Sequence, residues 1–231
     1  MKTTLFKLAI TVSLMLSTQA QADQQTITAI ENASMELNLT ELVNIKESSN
    51  GYDRALANYR LGFNYSFLQQ QDKGTAALNR ATEQLTELVK INNQDNESWA
   101  LLAQVYGLRI AYQPMSGIEL GPKAISALTT AQKISPNNPR VLLFTGVSKY
   151  NTPAMFGGSK HQALIELSNA IEQYNNDQYS EYHWGFAEAY TWRGLTQLEL
   201  GNKEAALADW AKAVEVSPNY SWAKNLLQKN T

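Results

Sequence analysis

Apolar positions recur at spacings of three and four along most of this chain. Near the C-terminus, Ala187, Tyr190, Gly194 and Leu198 share one helical face. Ala206, Trp210, Ala213 and Val214 make a second apolar stripe. Between them, Gly201 is placed to end the first helix and Asn202 to cap the next. Ser217-Pro218 stops the second stripe, because proline cannot continue a helix. The pattern predicts two antiparallel helices joined by a tight turn.

The same pattern returns upstream. Trp99, Leu102, Ala103 and Tyr106 precede Ala124, Leu128, Ala131 and Pro136. Gly146 precedes Ala163, Leu167 and Ala170, without a closing proline. Leu61, Gly62 and Tyr65 precede Ala77 and Ala81. A two-helix unit cannot bury its stripe alone, whereas a stack of units can, and small residues such as Gly146 and Ala170 let the helices approach. Asn138-Pro139 supplies a cap and a proline at the first helical position, where its missing N–H costs nothing. Residues 25 to 48 read as one or two helices ahead of the repeats, one of them starting at Asn38-Leu39-Thr40-Glu41. Asn219 to Lys229 reads as a terminal capping helix with Trp222 and Leu226 inward.

These residues resemble the tetratricopeptide repeat family. Its pattern sets an aromatic, Leu-Gly and Tyr on the first helix, then Ala, Phe, Ala and a closing Pro on the second. Tyr190, Gly194, Ala206, Trp210, Ala213 and Pro218 match, with Trp210 in the Phe place, while Arg193 and Gln197 depart at the Leu and the second aromatic. The resemblance covers about residues 52 to 230. The small landmarks Gly62, Ala103, Gly146 and Gly194 stand 41, 43 and 48 residues apart, wider than the family's usual ~34. It implies an all-α fold: a helical-hairpin repeat solenoid of about four helix pairs with capping helices. Together with "LGPKA" and "NTPAMFGG", the repeats look like a subfamily of exported bacterial repeat proteins.

The surplus length lies between paired helices, where "YQPMSG" (112–117) and "YNTPAMFGG" (150–158) are written almost alike. Methionine adapts to varied partners. The loops either form an apolar lip of a binding site, through Tyr112, Pro114, Met115, Pro153, Met155 and Phe156, or pack on one another as a small satellite core.

The N-terminus changes the picture of compartment. Lys2 and Lys7, the apolar run Leu8 to Leu16 and Ala20-Gln21-Ala22 have the order of a secretory signal peptide. The run is shorter than the ~18 residues a membrane span needs. The expected organisation is a signal peptide at 1–22 and one repeat domain at 23–231, periplasmic or secreted. The chain has no cysteine, so disulfides and a cysteine-linked lipid anchor are excluded. No later stretch is apolar enough to cross a membrane. Nothing in the formal charge of −2 suggests a nucleic-acid footprint, which needs a strongly basic face.

Catalytic chemistry finds little to stand on. "GGSK" and "GIELGPK" lack the glycine spacing and the Lys-Ser/Thr of a phosphate loop; their glycines and Pro122 are expected instead to shape the turn and open the second helix of the unit. The histidines, His161 and His183, have no zinc-site spacing. There is no Gly-x-Ser-x-Gly elbow. His183 with Glu181 and Glu188 would permit acid–base work, but the aromatic stretch around it, Tyr179 to Trp192, also serves packing between repeats. The expected function is therefore non-enzymatic and without a cofactor: an interaction module for another protein or peptide of the cell envelope. The alternative is a carrier of an apolar small molecule. A curved stack presents a concave groove, and Tyr65, Trp99 and Trp184 are its candidate contacts.

Overall fold

The computed structural model describes residues 23–231, so the segment at 1–22 expected to be a signal peptide lies outside the described residues. Eleven α-helices and no strand are found among them: α1 Gln24–Met35, α2 Leu39–Ser48, α3 Gly51–Phe67, α4 Gln71–Ile91, α5 Asn96–Tyr112, α6 Gly117–Ile134, α7 Pro139–Asn151, α8 Lys160–Tyr174, α9 Phe186–Glu199, α10 Lys203–Val216 and α11 Ser221–Asn230. Short 3-10 turns cover Pro114–Ser116 and Ala154–Phe156. Helices α3/α4, α5/α6, α7/α8 and α9/α10 pack as four antiparallel hairpins, with α1/α2 ahead and α11 behind.

Five of the eleven helix starts are capped by a side chain, at Asp23, Asn38, Asp95, Asn138 and Ser159. The Asn38 side chain accepts the N–H of Glu41, and that of Asn138 accepts those of Arg140 and Val141, satisfying donors that a first turn leaves open. Two expectations need correction. Asn202 does not cap α10; its amide reaches back to Gln197, and Gly201 makes the turn at φ +85°. Pro122 does not open the second helix of its unit but lies inside α6, because the 3-10 turn at Pro114 winds straight into a helix that starts at Gly117.

The small landmarks set the hairpin spacing. A Cβ on Gly62 would stand 2.5 Å from Leu78, one on Gly146 2.5 Å from Leu167, and one on Gly194 2.4 Å from the Trp210 ring nitrogen. Each of these units seats one large side chain of its second helix on the bare backbone of its first. Trp210 is fully buried there and donates its indole N–H to the Thr191 carbonyl at 3.2 Å.

The inner helices follow one another as α1, α3, α5, α7, α9. They are not amphipathic in the usual one-sided sense. Helix α3 is buried around its circumference from Ala55 to Asn64, and α7 from Pro139 to Val147. The stack curls until its ends meet. Met35 of α1 packs with Ala187, Tyr220 and Ala223, and Asn219 donates to Glu36 at 2.7 Å. Trp222 of α11 touches Phe63 and Phe67 of α3 as well as Trp192 of α9. The open concave groove expected from the repeats is thus filled by the protein's own side chains.

Candidate functional site: a filled groove and an exposed turn edge

Two buried arginines organise the filled groove. Arg60 on α3 donates from Nε and Nη2 to the two oxygens of Glu31 on α1, at 2.6 and 2.8 Å, and pairs through Nη1 with Glu188 on α9 at 2.8 Å. Its guanidinium carbon is 5.2 Å from the ring centre of Tyr59 and 5.1 Å from that of Trp184. One side chain therefore ties three helices. Burial pushes the Glu31 carboxyl above its ordinary range, and the charge and hydrogen bonds of Arg60 offset only part of that.

Arg140 follows Pro139 at the start of α7. Its Nε is 2.8 Å from both oxygens of Glu97, and its two terminal nitrogens hold Asp177 and Ser180. Asn138 adds a 2.7 Å bond to Glu97. Burial raises the Asp177 carboxyl, but the hydrogen bonds and charge of Arg140 outweigh it and hold the group below its usual value.

Asp177 and Ser180 belong to the long segment between α8 and α9, which folds into the concave side. Tyr182 stacks on Tyr52, with ring centres 5.0 Å apart. Trp184 lies against Phe144 and Arg60. The Gln24 side-chain amide accepts from the backbone N–H of His183 at 2.6 Å and donates to its carbonyl at 3.1 Å. Trp184, expected to meet a partner, is 4% exposed and forms part of the interior. Glu188 does not join His183: His183 faces Asp177 at 3.2 Å, while Glu188 is turned inward onto Arg60.

Tyr65 and Trp99 pin helices to their neighbours. The Lys73 ammonium sits 5.9 Å from the Tyr65 ring centre, and the Trp99 indole donates to the Asn93 carbonyl at 3.0 Å, fastening the linker before α5. Tyr112 is an anchor too. Its hydroxyl donates to the Gly62 carbonyl at 2.7 Å, its ring occupies the space a Cβ on Gly74 would take, and burial pushes its hydroxyl up to about 12. Tyr150 does the same for the second loop, packed on Trp192 with the Lys160 ammonium 3.3 Å from its ring centre.

Beyond these anchors the loops turn outward. Pro114 and Pro153 are exposed at the starts of the two 3-10 turns. Met115 is 81% exposed, Met155 82% and Phe156 68%. They do not form the satellite core. Ile118, beside the first loop, is 82% exposed, and Phe67 and Leu68 at the end of α3 are also exposed. The turns between paired helices follow one another along one edge of such a stack, so these apolar groups share an edge. Sequence reasoning passed over Ile118 and both arginines. The available signal was a charged residue inside an apolar run, as in "NYRLGF" and "NPRVLLF".

Among the described residues, no helix is long and apolar enough to cross a membrane, and no group of three or more His, Cys, Asp or Glu could hold a metal.

Residues 187–220, spanning α9, α10 and the turn to Tyr220, match the tetratricopeptide repeat family. The fold is similar to that of a thermophilic tetratricopeptide-repeat protein of Thermus thermophilus, with TM-score 0.52 and 19% identity over 88% of this chain and 98% of that one. It is also similar to the HusA haemophore from Porphyromonas gingivalis, with TM-score 0.56 and 20% identity over 76% of this chain and 91% of that one. No curated protein matches the sequence. The glycine-seated hairpins and their stacking give this chain a tetratricopeptide-repeat-like fold, and its final unit, residues 187–220, matches the tetratricopeptide repeat itself.

Proposed function

We propose that this protein is an exported, non-enzymatic scaffold that binds another protein or peptide of the cell envelope, and that it does so through its apolar turn edge. The observation that carries the reading is the outward exposure of Met115, Ile118, Met155 and Phe156 beside a groove already filled from within. Repeat stacks serve as interaction surfaces, and flexible methionines suit a surface that meets protein side chains. Exposed apolar groups gathered on one edge cost solubility unless something covers them. The signal-peptide pattern at 1–22 supports export.

The test is cross-linking in intact cells from a photoreactive residue placed at Ile118, with Met115, Met155 and Phe156 either native or replaced by serine. The expected result is one dominant protein adduct that is lost in the serine variant. Equal recovery from the serine variant overturns the assignment.

The carrier alternative draws on the fold shared with a haemophore. It asks for Met115, Met155 and Phe156 turned in around a cavity, and they are turned out. Native mass spectrometry of protein released gently from the periplasm separates the two: a retained small mass supports the carrier, a retained polypeptide the scaffold.

A further inference from the structure

Helix α1 opens on Asp23. Its carboxylate accepts the backbone N–H groups of Gln25 and Thr26 and the Thr26 hydroxyl. Its own backbone nitrogen points toward α3 and donates to Asp53 Oδ2 at 3.2 Å. Asp53 is 8% exposed, and its other oxygen, Oδ1, is buried with no hydrogen-bond partner among the described residues. The cleft here is lined by Asp23, Gln25, Thr26, Ala29, Ile45, Ser48, Ser49, Asn50 and Asp53. Among the described residues, two carboxylates line it and no cation does. A buried carboxylate held by a single neutral donor is costly, because the donor supplies one proton and no charge. Burial accordingly pushes the Asp53 carboxyl above its ordinary value.

The signal-peptide pattern places the new N-terminus at this same nitrogen. We infer that cleavage between Ala22 and Asp23 creates the missing partner, the Asp23 α-ammonium, which then holds Asp53 as a buried ion pair. Hydrolysis adds hydroxide to the Ala22 carbonyl and leaves its proton on the Asp23 nitrogen, which takes up a further proton from water. One N–H becomes three, with a full positive charge, beside an oxygen that lacks a donor. The start of a helix disfavours a cation, but Asp23 and Asp53 flank this one. Maturation thus completes the packing of α1 on α3. The inference rests on the export reading above.

The test compares chains that start at Asp23 with chains that keep Gln21 and Ala22, each with Asp53 and with Asp53→Asn. Both starts are released from a cleavable fusion that leaves no extra residue. At pH 7 the Asp23 start should unfold less readily, with an unfolding constant lower by on the order of tenfold, the equivalent of an amine pKa displaced by about one unit. Asp53→Asn should erase that difference. An unpaired α-amino group titrates near ~7.7–8.0. Paired with carboxylates its folded value is raised, so the gain is fully present below the unfolded value and is lost as the pH rises through the folded one. Equal stability of the two starts, or a difference that survives in Asp53→Asn, overturns the inference. The mass of the exported protein separates this from failure of the export reading: a chain not beginning at Asp23 removes the premise, whereas a chain beginning there without coupling to Asp53 removes only the ion pair.

Discussion

The two edges of the stack are built from opposite materials. Turns within a hairpin carry Leu68, Met115, Ile118, Met155 and Phe156, side chains that reach solvent, and Phe67, which reaches solvent while touching Phe63 and Trp222. Linkers between hairpins are written in Asn, Asp, Ser and Pro, as at Asn92 to Asp95, Ser135 to Asn138 and Asn175 to Ser180. These polar linkers are the ones that face inward energetically: Asn138 caps α7 and bonds Glu97, and Asp177 and Ser180 close on Arg140. The exposed apolar tips therefore add little to the packing, while the polar linkers hold helices together. Residue polarity alone predicts the reverse.

Removing Arg140 should break the comparison most sharply. Arg140→Ala leaves Glu97 and Asp177 without their cation in a buried site, and the loss should be about 3–5 kcal/mol, read by urea denaturation. The same pairing has a pH signature. The folded Asp177 carboxyl lies below its unfolded value, so its contribution is present above about pH 4 and is lost as the pH falls through the folded value. Arg140→Ala should flatten that acid limb of the stability profile.

A substitution in the backbone of the other edge comes next. A Cβ on Gly158 would fall 1.7 Å from the Thr152 carbonyl oxygen, which cannot move like a flexible side chain. Gly158→Ala should cost roughly 1–3 kcal/mol by the scale of steric overpacking, and limited proteolysis should then open the loop at 152–159. Trp99→Phe returns to the polar linkers. It keeps the packing but removes the donor to Asn93, and should cost about 0.5–1.5 kcal/mol in thermal or chemical unfolding. The smallest change is expected at the apolar tips. Met115→Ser with Phe156→Ser should shift stability by no more than about 0.5 kcal/mol each, while abolishing partner adducts at Ile118. A tip substitution as costly as Arg140→Ala would erase the distinction between the edges.

Sequence patterning went far with the helices and less far with the site. Gly62, Gly146 and Gly194 are recognisable because a close helix contact admits only a small residue, and each indeed faces a large side chain. Asn38 and Asn138 are recognisable as caps because their chemistry is local. Asn202 deceived for the same reason: a cap residue has competing local acceptors and donors, and Gln197 won. Met115, Met155 and Phe156 could be singled out by their repetition, yet whether they pointed in or out depended on what Tyr112 and Tyr150 found to pack against. Trp184 looked like a surface aromatic because nothing near it in sequence reveals that Arg60 lies 124 positions upstream and 5.1 Å from its ring.

What the sequence determined by itself is the unit: its two stripes, its small contact residue, its breakers and its number of copies. Those properties come from spacings of a few residues, where periodicity and steric size act directly. What only the tertiary structure decided is the curvature. The stack closes because Glu31, Arg60 and Glu188, from three separate helices, can satisfy one another only when the first and last units meet. A buried charge needs its partner wherever in the chain that partner lies, and no local pattern records the distance.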